Sequence, residues 1–111
     1  MKLESNFFRF LGLAAKAGKC VYGSFACEKR VKNGDICLVI GDISLSDRSK
    51  HDLECMCQYY NVDLIISEPE YEAGYSCGKI GVKIIGITDK NFKEKLVELS
   101  SIRRCDSWPK S

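Results

Sequence analysis

Three almost uninterrupted apolar runs set the strongest limit on how this chain can fold. They are ICLVIG (36–41), VDLIIS (62–67) and VKIIGIT (82–88), and each has the length of a β-strand. A strand that is apolar at nearly every position is buried on both faces of its sheet, because a strand with one solvent-facing side alternates polar and apolar residues. The runs therefore predict a central sheet covered by helices on both faces, with largely parallel strands and mixed direction possible at one edge.

Segments with a helical spacing of apolar residues alternate with these runs. The first, FFRFLGLAAKA, starts after Ser5 or Asn6, places Phe7, Phe10, Leu11 and Ala14 on one face, and stops at Gly18. The remaining helices are predicted over 25–33, in a segment that starts at Ser46 and stops at Asn61, over 69–78 beginning at Pro69, and over 91–100, and a short extended piece lies at 20–22. The order predicts an α/β fold, a three-layer α-β-α sandwich around a mixed central sheet of about four strands.

A length of 111 residues with 45% hydrophobic content suits a single buried core and leaves no room for two domains. We expect one domain over residues 1–100. The tail, residues 101–111, lacks periodicity and contains Pro109, which predicts a flexible extension or a terminal helix that frays. No apolar run approaches the roughly 18 residues that cross a bilayer, and the first residues do not resemble a signal peptide, so we expect a cytoplasmic protein.

The cysteines and the single histidine predict neither a metal site nor an active site. Seven cysteines are an odd number without paired-knuckle spacing, which is typical of reduced core residues. On a helix, Cys55 and Cys57 would diverge by about 200°. His51 lies on a polar helix face, and the chain has no glycine-rich phosphate loop. We therefore expect no cofactor, no metal and no enzymatic activity.

Positive charge is concentrated between Lys16 and Gly34, although the whole chain carries only +2. This stretch has five basic side chains against one acid, Glu28. It also contains Gly23 at a turn and Ser24, the expected N-cap of the second helix. A basic surface around a helix N-terminus is typical of proteins that bind anions such as nucleic-acid phosphates. A solvated helix face with an ordinary turn and cap explains the same residues.

The stretch also resembles a known family. LGLAAKAGK (11–19), then Gly23, Lys29 and the stop at Asn33-Gly34, are similar in order and spacing to the kink-turn RNA-binding ribosomal proteins of the L-seven-Ae and L-thirty-e type, and more narrowly to their bacterial YlxQ-like branch. EAGYSCGK (72–79) and GITDKNF (86–92) extend the match over roughly residues 6 to 100. The resemblance implies an α-β-α sandwich, a monomer that binds structured, kinked RNA without catalysis, and a ribosomal or translational partner.

The resemblance also implies where the RNA binds. Family members insert the N-terminus of the second helix into the widened groove of bent RNA, while an apolar residue in the loop before the last strand meets a flipped-out base. In this chain, that loop is Lys79-Ile80-Gly81. The predicted RNA-binding residues are Lys16, Lys19, Gly23, Ser24, Phe25, Ala26, Lys29, Arg30, Lys79 and Ile80.

One pair of residues departs from the family pattern. RNA-reading members carry Asn-Glu where this chain has Phe25-Ala26, and these two side chains offer no hydrogen bonds to base edges. We therefore expect weaker or less selective binding. Tyr22 and Phe25 either stack on unpaired bases or close the core, and Ile80 is either a base contact or simply the start of a strand. A different structured RNA and a protein-interaction module on the same fold remain alternatives.

Overall fold

The computed structural model describes residues 5–68 and 72–107, and the side chains of 6–68 and 73–100. The expectations for Pro69, for Pro109 and for the side chain of Ser5 lie outside these ranges. The elements in chain order are α1 (Ser5–Lys16), β1 (Cys20–Tyr22), α2 (Ser24–Lys32), β2 (Leu38–Asp42), α3 (Asp47–Tyr59), β3 (Asp63–Ser67), α4 (Glu72–Ser76), β4 (Ile84–Ile87) and α5 (Lys90–Ser107).

The four strands form one mixed sheet in the order β1-β4-β2-β3. β2 and β3 are parallel, whereas β4 is antiparallel to both of its neighbours, β1 and β2. The predicted mixed four-stranded sheet is confirmed, but the expectation of largely parallel strands is wrong. The reason is physical: a strand buried on both faces has the same apolar composition in either direction, so composition does not reveal how β4 runs.

Helices cover both faces of the sheet. α1, α4 and α5 pack on one face, and α2 and α3 pack on the other. Successive side chains of a strand point to opposite faces of the sheet. In β2, Leu38 and Ile40 therefore pack in the core under α1, while Val39 packs in the core under α2. The three-layer α-β-α sandwich predicted from the apolar runs is thus confirmed.

α1 buries a wider surface than its predicted stripe. Phe8 is buried, although the spacing assigned that role to Phe10, which is half-buried against Phe92 with ring centroids 5.0 Å apart. The difference arises because α1 packs against α4 and α5 as well as the sheet, so two of its sides are covered. Gly18 ends the helix with a φ of +74°, as predicted.

Helix ends elsewhere follow local signals. The segment predicted to start at Ser46 forms α3, and the Ser46 hydroxyl caps this helix by accepting a hydrogen bond from the Ser49 N–H at 3.1 Å. α5 continues through residues 101–107, which the sequence assigned to the tail, and the last four residues of the chain lie outside the described part. The boundary expected after residue 100 therefore falls inside a helix.

Candidate nucleic-acid interface

The start of α2 is fixed by Gly23. This residue is the N-cap, with φ +96° and ψ 150°, a conformation that side chains strongly disfavour. Its N–H donates to the Ile84 carbonyl at 2.9 Å, and its carbonyl accepts from the Cys27 N–H at 3.0 Å. The expectation that Ser24 is the N-cap is wrong, because the Gly23 carbonyl already accepts the first helical hydrogen bond and Ser24 lies inside the helix.

The first backbone donors of α2 are open. Within the described residues, no backbone or side-chain group accepts a hydrogen bond from the N–H of Ser24, Phe25 or Ala26. Gly23 has no side chain that could cap them. Three free donors at the positive end of the helix dipole suit an anion.

One face of α2 is fully presented to solvent. Phe25 is 79% exposed, and Lys29, four residues later on the same face, is exposed as well. Cys27 and Val31 lie on the opposite face and are buried in the core. Phe25 therefore does not close the core, which decides that alternative in favour of an exposed aromatic.

The loop between α4 and β4 lies beside this helix start. The Lys79 N–H donates to the Gly74 carbonyl at 2.8 Å, and a Cβ on Gly74 would lie 2.7 Å from the carbonyl oxygens of Lys79 and Val82, so the loop packs tightly over α4. The Lys79 Nζ is 5.2 Å from the ring centroid of Tyr22, which directly precedes Gly23. Burial raises the pKa of the Tyr22 hydroxyl, so the ring stays neutral.

Ile80, next to Lys79 in this loop, is 82% exposed. It is not the first residue of a strand, because β4 begins at Ile84. The sequence offered both interpretations, and the structure leaves Ile80 as an exposed apolar side chain on a loop held against the start of α2.

The predicted basic residues divide into two groups. Lys19 pairs with Asp89 at 3.8 Å, and the Nε of Arg30 lies 3.1 Å from a carboxylate oxygen of Asp35, beyond the C-terminal end of α2. Lys16 and Lys29 have no carboxylate within 4 Å among the described residues. The start of α2 and the loop before β4 lie at the same end of the sheet, because Tyr22 pairs with Ile85 and the Gly23 N–H donates to the Ile84 carbonyl. The predicted residues on these two segments are Gly23, Ser24, Phe25, Ala26, Lys29, Lys79 and Ile80. Arg30 instead pairs with Asp35 beyond the C-terminal end of α2.

A groove of about 850 Å³ runs between α1, β1 and α4, next to the helix start. Three cations line it, Arg9 and Lys16 of α1 and Lys79 of the loop, together with Tyr22 and Tyr75. No acidic side chain lines it among the described residues. We call it the basic groove.

Sequence reasoning missed two residues of the basic groove. Arg9 lies on the polar side of α1 and Tyr75 in a short glycine-interrupted helix, and neither position carries a distinctive pattern. Only the packing of α1 against α4 brings them together. The feature that marks these residues is an exposed tyrosine close to basic side chains, and this feature is visible only in the folded structure.

A smaller groove of about 380 Å³ lies on the other side of the helix start, between α2 and α3. Ser24 and Ile84 line it, but so do two acids, Glu28 and Asp52. We call it the acidic groove. Carboxylates here disfavour phosphate, so the two sides of the α2 N-terminus differ in charge.

Two thiols contribute to the lining of the basic groove. Cys20 and Cys77 are hydrogen-bonded to each other, which lowers the pKa of Cys20 and raises the pKa of Cys77. Cys27 and Cys57 are buried instead in the core under α2 and α3, and burial raises the pKa of each to about 12. All described cysteines are free.

Three other features were sought in the described residues: a cysteine-histidine pair, a cluster of metal ligands and a membrane-spanning helix. Cys55 and His51 lie 3.5 Å apart, but at exposed positions one turn apart on α3. Among the described side chains, those of residues 6–68 and 73–100, no three from His, Cys, Asp or Glu are grouped so as to hold a metal ion. In residues 5–68 and 72–107, no helix is both long and apolar enough to span a membrane.

Comparison with known proteins places the chain among relatives. No family model matches the sequence. A solved protein of unknown function from Bacillus halodurans C has a TM-score of 0.84 and 30% identity, covering 88% of this chain and 99% of that one. The Giardia lamblia 15.5kD RNA binding protein shares the fold, with a TM-score of 0.72 and 16% identity over 88% of this chain and 84% of its own.

The RNA-binding protein YlxQ of Bacillus subtilis (strain 168) is 31% identical to this chain over 94 residues. The match spans 85% of this chain and 94% of that protein. With this identity over nearly the full length of both proteins, the chain belongs to the YlxQ family.

Proposed function

We propose that this chain is a non-catalytic RNA-binding protein that recognises kinked RNA through the N-terminus of α2. The observation that carries the proposal is the combination of open N–H groups at Ser24 to Ala26 with the exposed side chains of Phe25, Lys29 and Ile80 at one end of the molecule. Its relative YlxQ is named as an RNA-binding protein, which supports the same conclusion.

The open donors and the basic side chains supply affinity for the RNA backbone. A phosphate at the start of α2 accepts hydrogen bonds from the free N–H groups and interacts favourably with the helix dipole. Lys29, without a carboxylate partner in the described residues, reaches a neighbouring phosphate. These contacts position the protein but carry no sequence information.

The exposed apolar residues supply selectivity for unpaired bases. Phe25 offers a ring and Ile80 an aliphatic surface, and neither can read a base edge by hydrogen bonding. A base that stacks on an aromatic side chain contributes about 1–3 kcal/mol whatever its identity. Recognition therefore depends on the shape of the RNA and on its splayed bases more than on its sequence.

Bent RNA fits this surface better than straight RNA. A regular A-form helix has a deep, narrow major groove that side chains cannot enter, and its stacked bases offer no open face. A kink widens the groove and releases bases, so it admits the blunt start of α2 with its exposed Phe25. We propose that residues 1–100 form the binding domain, that Lys16 and Lys19 extend the basic surface, and that the monomer acts on structured RNA of the translation apparatus in the cytoplasm.

Fluorescence anisotropy tests the proposal. A labelled kink-turn RNA and a straight duplex of matched length are titrated with wild type, Lys29→Ala and the control Lys95→Ala, which removes an exposed charge from α5 on the other face of the sheet. We expect tighter binding to the bent RNA, a several-fold loss with Lys29→Ala only, and a salt slope reduced by about 0.7–0.9 for the lost phosphate contact. Equally feeble binding to both RNAs would contradict kink recognition.

A protein-interaction module is the second candidate. Phe25 and Ile80 together present apolar surface of the kind that protein interfaces bury, and Phe25-Ala26 lacks the polar pair of RNA-reading relatives. The two functions respond differently to salt: binding to phosphates weakens steeply as salt rises, whereas an apolar interface changes little. The same titration therefore separates them.

A further inference from the structure

We propose that the basic groove binds a single-stranded segment of the same RNA, continuing from the base that contacts Ile80. The inference rests on the proposed RNA-binding function and extends it to the surface between α1, β1 and α4. The occupant is an unpaired strand of at least two nucleotides that leaves the kinked region.

The charges of the basic groove favour a polyanion. Arg9, Lys16 and Lys79 come from separate places in the chain, and none has a carboxylate within 4 Å among the described residues. Concave walls lined by one sign of charge concentrate the potential and attract ligands of the opposite sign. The side chains of residues 6–68 and 73–100 bring no acid into this lining.

The spacing of these cations favours a strand over a single phosphate. Arg9 and Lys16 are seven residues apart on α1, which separates them by about 10 Å along the helix axis. One phosphate group cannot bridge that distance, whereas successive phosphates of one strand can contact both ends of the groove. A free phosphate or a mononucleotide would use only part of the site.

The aromatic lining favours unpaired nucleotides over a duplex. Tyr75 is 67% exposed, and Leu13 beside it in the lining is exposed too. Exposed tyrosine rings stack on the faces of bases, and these faces are accessible in single strands but covered in a duplex. Phosphate contacts on the α1 side and base contacts on the α4 side would hold the strand from two directions.

The basic groove is continuous with the start of α2. Lys79 lines the groove and lies over Tyr22, while their chain neighbours Ile80 and Gly23 belong to the proposed kink contact. A strand that places one base at Ile80 therefore passes Lys79 on entering the groove. The opposite route leads into the acidic groove, where carboxylates repel phosphates.

The test compares two RNAs by fluorescence anisotropy: a kink-turn RNA, and the same RNA with six unpaired nucleotides added to each end. We expect wild type to bind the extended RNA about tenfold more tightly. Tyr75→Ala and Arg9→Ala should each remove most of this gain and leave binding of the unextended RNA unchanged. The matched controls are Tyr59→Ala and Arg48→Ala, which alter exposed residues on α3.

A second readout locates the strand. Iodoacetamide alkylation of the groove thiol Cys20 is followed by peptide mass spectrometry, with the exposed Cys55 of α3 as internal reference. The extended RNA should slow alkylation in the groove several-fold and leave Cys55 unchanged. Equal protection by both RNAs would contradict a strand in the groove.

The outcomes separate the two proposals. If the extension adds no affinity while binding still depends on Lys29, the groove inference is overturned and the kink-binding function stands. If Tyr75→Ala weakens both RNAs equally, Tyr75 belongs to the first contact and the groove inference is again overturned. If neither RNA binds, both proposals fail together.

Discussion

The two grooves lie on the two sides of the α2 N-terminus and differ in charge. The basic groove carries Arg9, Lys16 and Lys79 with two tyrosines, whereas the acidic groove carries Glu28 and Asp52. Ser24 at the start of α2 lines the acidic groove, whereas the basic groove reaches Tyr22, the residue before the Gly23 N-cap. Because both grooves lie close to the α2 N-terminus, the helix dipole alone does not set the direction of a bound strand. The side chains choose it: an anion at the α2 N-terminus is drawn towards α1 and α4 and repelled from α3.

Within α2, residues that are adjacent in the sequence reach different surfaces. Phe25 and Lys29 lie on the face of α2 that points to solvent, while Glu28, one position before Lys29, lines the acidic groove and pairs with Lys32 at 3.3 Å. A helix turns about 100° per residue, so neighbouring positions reach different surfaces. The net charge of the segment from Lys16 to Gly34 therefore does not indicate which surface of the folded protein is basic.

An acidic residue placed in the basic groove should have the largest effect on RNA affinity. Lys79→Glu removes a cation and adds a like charge to the phosphates, and we expect RNA affinity to fall about 30-fold, or about 2 kcal/mol. Anisotropy measures the change, with Lys95→Glu on α5 as the charge-matched control. An equal loss in both variants would mean that only overall charge matters.

A side chain at Gly23 should disturb the start of α2, which lies between the two grooves. Gly23→Ala forces a conformation that costs about 1–3 kcal/mol, and it displaces the first N–H groups of α2. We expect a matching fall in the free energy of unfolding, measured by urea denaturation, and an approximately tenfold loss of RNA affinity.

Gly18 provides the control for this substitution. It also has a positive φ, +74°, and a Cβ there meets no atom within 4 Å, so Gly18→Ala adds strain without touching α2. Because Gly18 also lines the basic groove, the comparison uses the kink-turn RNA without unpaired extensions. We expect Gly18→Ala to lower the free energy of unfolding and to leave the affinity of the folded protein for this RNA unchanged. If both variants bind RNA as wild type does, the α2 N-terminus is not the contact.

Neutralising the acidic groove should reduce the asymmetry. Glu28→Gln removes a repulsive carboxylate and releases Lys32 from its ion pair, and we expect a fewfold gain in affinity, about 1 kcal/mol or less. Glu54→Gln, an exposed acid on α3, is the control. Weaker binding by Glu28→Gln would instead show that Glu28 accepts hydrogen bonds from the RNA and would reverse the roles of the two grooves.

The fold was predictable because its signals are local. Apolar runs report burial on both faces, Ser46 and Gly18 mark helix ends, and none of these depends on distant partners. The direction of β4 was not predictable, because burial leaves the same composition in either direction. Assigning the cap to Ser24 failed because Gly23 accepts the first helical hydrogen bond.

The sequence and the family resemblance indicated the start of α2 and the loop Lys79-Ile80-Gly81, but not the complete basic groove. The start of α2 was found from a turn, a helix start and a family resemblance. The basic groove was not, because Arg9 and Tyr75 meet only when α1 packs on α4. The ion pair of Arg30 with Asp35, which occupies the guanidinium group of Arg30, also depends on how the chain turns after α2.

The smallest effect is expected from chemical modification of the thiols, which lie either in the basic groove or in the core under α2 and α3. The hydrogen bond from Cys77 lowers the pKa of Cys20, so the reactive thiolate forms at a lower pH than in the unfolded chain. Burial raises the pKa of Cys27 and Cys57 to about 12, so these thiols stay protonated and sealed in the core. At pH 8, iodoacetamide should therefore modify Cys20 and spare Cys27 and Cys57 until the protein unfolds, as peptide mass spectrometry can show.

The group that iodoacetamide adds to Cys20 narrows the basic groove. We expect about threefold weaker binding of an RNA with unpaired extensions and no change for one without them. Equal alkylation of Cys20 and Cys27 in the folded protein would mean that the core under α2 is as open as the groove, and the contrast between the two sides would fail.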